Sequence, residues 1–231
     1  MTLMLDATDK PVLYTFRRCP YAMRARMGIY ASGIKMEWRE LVLRDKPEHM
    51  VEISPKATVP VVQLPDGTVI DESFDVMLWT LQQNDPHGWL PSGAEMKQHT
   101  NEIINECEDS FKQHLDHYKY PNRYEGIDAI SSRDAAVEIL TKWNGYLANH
   151  ANLLSEQPSL ADYATFPFVR QFANVDRDWF NSLDLPYLQA WLERHLSSKI
   201  FADIMIKQKP WTPEDELLIF PQDEKTEEAV G

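Results

Sequence analysis

Two kinds of periodicity divide the chain. Up to about residue 85, short runs of β-branched and aromatic residues alternate with stretches of helical spacing; beyond about 95 only the helical spacing remains. Val12–Phe16 predicts a strand. Residues 20–32 predict a helix, with Met23, Met27 and Tyr30 at helical intervals and Gly33 as its stop. Met36–Leu43 alternates loosely and predicts a second strand, and Lys46–Ile53 a short helix or turn. Val59–Leu64 predicts a third strand, Pro65-Asp66-Gly67 a hairpin turn and Thr68–Ile70 a fourth strand. Glu72–Gln83 predicts a helix carrying Phe74, Met77, Leu78 and Leu81 on one side. The order β-α-β-α-β-β-α requires a right-handed crossover between parallel strands, to which the late hairpin adds antiparallel ones.

Residues 85–95 are rich in Pro and Gly and predict an interdomain linker. Ile104, Cys107, Phe111, Leu115 and Tyr118 then predict a long helix over about 95–119. Ala136, Leu140, Trp143, Leu147 and Leu154 mark another over about 131–155. A third opens at Ser159-Leu160-Ala161-Asp162 and runs to about 173, and two more are expected at 185–196 and 198–207. From Thr212 the chain is acidic. Leu217–Phe220 is an apolar run expected to dock on the helices, and the last ten residues are expected not to pack.

Composition narrows what such a chain does. Its 231 residues suffice for one large or two modest cores. The net charge is −13, unevenly spread: residues 1–85 hold 10 Lys/Arg and 12 Asp/Glu, the remainder 13 and 24. So acidic a chain argues against nucleic acid or an anionic membrane as partner, while its near-neutral first part tolerates a small anionic ligand. It has no apolar run of transmembrane length, and no basic start or apolar core of a signal peptide. Two cysteines, Cys19 and Cys107, are too few for a disulfide framework and fit a reducing cytoplasm.

Cys19 carries the most chemistry. It lies between the first strand and first helix, in Phe16-Arg17-Arg18-Cys19-Pro20-Tyr21-Ala22-Met23-Arg24. Pro20 suits the first helical position. A thiol there faces unpaired backbone N–H groups and the positive end of the helix dipole, with Arg17, Arg18 and Arg24 near in sequence; these influences favour the reactive thiolate. The alternative is a core cysteine. Cys19-Pro20-Tyr21-Ala22 has the spacing of a redox C-x-x-C with alanine in the second position. A lone thiolate cannot resolve its own mixed disulfide and needs an external thiol. Val59-Pro60 suits a strand edge beside the thiol; a cis bond there would turn the Val59 backbone toward an extended peptide-like ligand, although an ordinary edge proline explains the dipeptide as well. Glu72-Ser73 opens a helix, where N–H groups and a hydroxyl suit a carboxylate and Glu72 an ammonium group; a plain N-terminal turn has the same composition.

In this order, within one short domain, these features resemble the glutathione transferase superfamily over about residues 11–207. The chain is most similar to the cysteine-type, omega-like group, whose active site reads C-P-[FY]-A. The resemblance implies an α/β plus all-α fold: a thioredoxin-like glutathione-binding domain over 1–85, a linker over 86–95, and an all-helical domain over 96–231 ending in an acidic tail. It implies Cys19 as catalytic thiol with Tyr21 beside it, and Lys46, Val59 with cis Pro60, and Glu72-Ser73 as glutathione-binding residues. Glutathione is then the co-substrate, a small disulfide or electrophile the second substrate, and a homodimer the usual assembly. Ser159 to Asp162 resembles the family's capping box, a folding feature. The expected reaction is thiol transfer through a Cys19–glutathione mixed disulfide. The rivals are conjugation of glutathione to apolar electrophiles, and a non-enzymatic binding or regulatory role on the same fold.

The helical part offers no residue-by-residue match, so the second-substrate pocket stays undefined; Tyr118, Tyr120, Phe168 and Trp211 are candidates that helical spacing also explains as core. His114 and His117 have ligand spacing on a helix but no evident third ligand, so no metal is expected. Cys107 falls on an apolar stripe as a structural residue. The chain has no phosphate-cradling Gly-rich loop, no G-x-S-x-G and no H-E-x-x-H.

Overall fold

Strand β1 (Val12–Thr15) is buried at every position, and so is β2 (Met36–Glu40). Such strands lie inside a sheet covered on both faces, which is why β2 reads as only loosely alternating. The computed structural model describes residues 9–222. Between β1 and β2 runs α1 (Pro20–Ser32), and the two strands pair in parallel. α2 (Glu48–Ile53) follows, then β3 (Val61–Gln63) and β4 (Val69–Ile70), both antiparallel to their neighbours, and α3 (Ser73–Gln83). The expected order of seven elements is present with ends shifted by one or a few residues.

One expectation fails. Leu217–Phe220 does not dock on the helices. Ile219–Phe220 forms β5, antiparallel to β2, and completes a five-stranded sheet of order β4-β3-β1-β2-β5. The Trp38 N–H donates to the Leu218 carbonyl at 2.7 Å, and Phe220 packs edge-on against the Trp38 ring. The physical reason is the open edge of β2: its unpaired N–H and C=O groups take a strand when one is available. The chain accordingly separates into one unit ending at Asn84 but rejoined by the segment from Asp203, and a second unit, Asp85–Ala202. Of the last ten residues, which were expected not to pack, all but Gln222 lie outside the described residues.

α1 packs closely on α3. A β-carbon on Gly28 would stand 2.9 Å from the Met77 Cα, closer than packing allows, so glycine sets the approach of the two helices. At the far end Gly33 takes the left-handed conformation at φ 72° and closes α1 through bonds to the Ile29 and Tyr30 carbonyls.

The second unit is helical. α4 (Ala94–Glu106) and α5 (Lys112–Lys119) are joined through a π-helical turn, Cys107–Phe111, so the predicted long helix runs on with one extra residue wound into it. Cys107 is buried there. α6 (Ala129–Leu147) stops eight residues before the predicted end. Its pattern continues to Leu154, but Asn149 bonds back to the Gly145 carbonyl, and Asn152 to Ser155 and Glu156, which curls the chain out of the helix. α7 (Leu160–Ala173), α9 (Pro186–Leu196) and α10 (Lys199–Ile204) lie where expected, the last ending early. α8 (Arg177–Asn181) was not expected; the Asp176 carboxylate caps it by accepting from the Trp179 N–H. Among the described residues, no helix is long and apolar enough to cross a membrane.

Candidate active site

Cys19 stands at the N-cap of α1, half-buried, with extended backbone and Pro20 as the first helical residue. The loop beneath it is held from below. Buried Arg26 donates to the carbonyls of Phe16 (3.3 Å) and Arg17 (2.7 Å), to the Thr15 hydroxyl and to the Ile204 carbonyl. Glu40 accepts from the Arg17 N–H at 2.7 Å and from the Trp38 indole at 3.0 Å. Burial pushes Arg26 down to about 10, opposed by attraction to Glu40 and to Cys19; burial also raises the Glu40 carboxyl. Arg26 is thus a buried cation that holds the loop before Cys19 and feels the charge of its sulfur. Arg18 is exposed against the Phe16 ring, and Arg24 binds Ser73.

The Cys19 Sγ lies 3.7 Å from the Val59 carbonyl oxygen, within reach of a thiol hydrogen bond. The Val59-Pro60 bond is cis, and Val59 precedes β3, outside the ladder that pairs β3 with β1. Cys19 and Val59 share an apolar cluster with Tyr14, Ala22, Met50 and Val61.

A cavity of about 240 Å³ is lined by Tyr21, Thr58, Val59, Pro60, Asp71, Glu72 and Ser73. Five of the seven predicted site residues line it, and Cys19 adjoins it through Val59. Lys46 lies between β2 and α2 and does not line it. Asp71 and Thr58 were missed. Asp71 accepts from the Ser54 hydroxyl (2.9 Å) and from Lys56 (3.1 Å); Lys56 also bridges to Glu72. The Asp71 carboxyl sits below its usual range: burial alone would raise it, but the Ser54 and Lys56 hydrogen bonds outweigh that. The acidic end of the cavity is thus already half neutralised by a flexible lysine. At the other end Ser73 opens α3, its hydroxyl oxygen held by Arg24.

The sequence matches the family described as glutathione S-transferase, N-terminal domain, over residues 13–89, and that described as glutathione S-transferase, C-terminal domain, over 101–194. The chain belongs to the glutathione transferase superfamily. Among characterised members it is similar to glutathione S-transferase omega-1 of Mus musculus, 26% identical over 165 residues, 71% of this chain and 68% of that one. It is 21% identical over 189 residues to the chloroplastic glutathione S-transferase DHAR3 of Arabidopsis thaliana, 80% of this chain and 68% of that one. The fold matches a transferase family member from Pseudomonas fluorescens solved with two glutathione molecules bound, at a TM-score of 0.73 and 16% identity, over 85% of this chain and 92% of that one. It also matches a glutathione transferase from Phanerochaete chrysosporium in complex with oxidised glutathione, at 0.74 and 13% identity, over 87% and 96%. The superfamily's thioredoxin-like domain followed by a helical domain is the architecture of this chain.

The helical unit has a larger cavity, about 420 Å³, lined by residues including His99, Glu102, Lys142, Tyr146 and His150. Lys142 is spent on Glu106 at 2.9 Å, and His150 lies 3.5 Å from Glu156. With no thiol at its wall, this cavity is not the candidate for the thiol chemistry. Of the aromatic candidates for a second-substrate pocket, Phe168 is buried, Tyr118 packs on Phe172 and Trp179, and Trp211 covers the Arg39 guanidinium in the first unit. His117 rests against the Tyr124 ring.

Proposed function

We propose that this protein is a glutathione-dependent thiol transferase in which Cys19 is the nucleophile. The observation that carries the reading is the Cys19 sulfur at a helix N-terminus, 3.7 Å from the carbonyl of Val59, which lines the cavity. A thiol-bearing peptide lying along Val59 would bring its sulfur to Cys19, as an added strand brings its side chains into register. The cavity's two ends fit an amino-acid head group: the Ser73 hydroxyl and the α3 N-terminus for a carboxylate, Asp71 and Glu72 for an ammonium. Its γ-glutamyl end gives glutathione such a head group. Lys46 is assigned to the glycyl carboxylate by resemblance alone.

In the reaction, the Cys19 thiolate attacks the glutathione sulfur of a mixed disulfide. A bond forms between Cys19 and that sulfur, the disulfide breaks, and the partner leaves as a thiolate that takes a proton from water. A second glutathione thiolate then attacks the glutathione sulfur held on Cys19, restoring the Cys19 thiolate and releasing glutathione disulfide. The net change consumes one free glutathione: its sulfur joins the glutathionyl group of the mixed disulfide as glutathione disulfide, and the partner is released as its thiol. Alanine at position 22 leaves no second thiol to compete with this external resolution.

The test is intact-protein mass after incubation with glutathione disulfide. One glutathione on Cys19, removed by reduced glutathione, is the expected result; an adduct confined to Cys107 would overturn the reading. Conjugation to an electrophile is the second reading. It requires glutathione, rather than Cys19, to be the nucleophile, and Cys19→Ser distinguishes the two by abolishing disulfide reduction while sparing or raising conjugation.

A further inference from the structure

Ser73 presents a hydroxyl whose direction is dictated from behind. Its oxygen accepts from Arg24 Nε at 3.1 Å and from Arg24 Nη2 at 2.7 Å. Both residues are 2% exposed. A hydroxyl oxygen has two lone pairs and one hydrogen, and a guanidinium only donates. With both lone pairs taken by Arg24, what Ser73 retains for the cavity it lines is its O–H. The arrangement cannot reverse, because the guanidinium stays protonated and has no acceptor to offer.

Packing holds the pair in register. Arg24 and Gly28 are one turn apart on α1, as Ser73 and Met77 are on α3; Gly28 meets Met77, and Arg24 meets Ser73. The rings of Tyr21 and Phe74 flank the guanidinium, with centroids 5.7 and 5.4 Å from its carbon. The positive charge behind the hydroxyl strengthens it as a donor and adds to the potential of the α3 N-terminus.

We infer that Arg24 is a positioning residue that makes Ser73 a one-way hydrogen-bond donor, so that this end of the cavity takes a carboxylate and discriminates against a ligand lacking one. The inference rests on the glutathione reading above and names which part of that ligand is selected.

Isothermal titration of the full chain with two probes tests this: reduced glutathione, and the analogue in which the α-carboxylate of the γ-glutamyl residue is replaced by hydrogen. Wild type should bind glutathione about 10- to 100-fold more tightly than the analogue, as expected for a hydrogen bond to a charged group. Arg24→Lys, which keeps a charge but not the paired donors, should reduce that ratio to about threefold while leaving the analogue's affinity unchanged. Arg24→Gln repeats the measurement if the lysine variant melts early. Equal binding of the two probes by wild type overturns the inference alone and needs no variant. Equal weakening of both probes by Arg24→Lys also overturns it, because Arg24 is then merely structural. No binding of either probe overturns the glutathione reading, and this inference with it.

Discussion

Two helices of this protein begin in opposite ways. At the start of α7, the Asp162 carboxylate accepts four hydrogen bonds: from the Ser159 N–H and hydroxyl on one oxygen, and from the Leu153 N–H and the Trp191 indole on the other. All four lone-pair sites are used and the residue is fully buried. At the start of α1, Cys19 makes no side-chain capping bond and stays half-buried, its sulfur 3.7 Å from one carbonyl. Both positions offer orphan N–H groups and a positive dipole end. The first is saturated from within the fold and acts as a rivet. The second is left open, which leaves its electrostatic advantage available to a reacting group. The start of α3 lies between them: Ser73 is saturated on its acceptor side by Arg24 and open on its donor side.

The contrast predicts where a substitution is felt. Cys19→Ser should lower disulfide-reducing turnover by about a thousandfold or more, as loss of a nucleophile does, while moving stability by less than about 1 kcal/mol. Steady-state kinetics beside urea unfolding reads both, and a Cys19→Ser protein that still reduces the disulfide sinks the comparison at its open end. Asp162→Ala should do the reverse: about 3 kcal/mol of stability lost, because four donors, two of them fully buried, lose their acceptor. Urea unfolding measures that loss, and a cost below about 1 kcal/mol would mean that water or repacking satisfies those donors.

A third prediction concerns the ring beside that rivet. His195 is buried among Tyr163, Phe166 and Trp191, and burial pushes it down to about 3. The folded chain holds it neutral, whereas the unfolded chain protonates it near 6.5. Its contribution is therefore fully present above about pH 6.5 and is lost as pH falls toward about 3, at about 1.4 kcal/mol per unit. Between pH 7.5 and 5, wild type should lose about 2 kcal/mol more than His195→Phe. Parallel pH slopes for the two proteins would show that the ring has water or a proton acceptor beside it. The smallest effect is expected at the cavity mouth: Lys56→Met, which removes exposed bridges to Asp71 and Glu72, should leave the unfolding midpoint unchanged. A drop as large as that of Asp162→Ala would make this end a rivet as well.

Much of this was legible in sequence because it is local. Pro20 after Cys19, Gly33 after a helical run, Ser159 three residues before Asp162, and Pro65-Asp66-Gly67 between apolar runs each mark an element by chemistry within a few residues. What was missed joins distant positions. Asp71 meets Ser54 and Lys56, Arg24 meets Ser73, and β5 finds the edge of β2 across nearly two hundred residues. The end of α6 was overrun because apolar spacing persists to Leu154 while Asn149 and Asn152 bond to the backbone. α8 was missed because five residues are too few for a period to register.

Local sequence alone was enough for the order of the first seven elements, the change from mixed to helical structure near residue 85, and a thiol at a helix start without a second cysteine to resolve it. These follow from propensity, periodicity and capping, which act over one or two turns. Long-range packing chose which arginine holds the loop before the thiol, which one supports Ser73, and which strand closes the sheet. Those choices depend on which side chains packing desolvates together, since a buried charge or an open strand edge must take whatever partner the fold brings within reach.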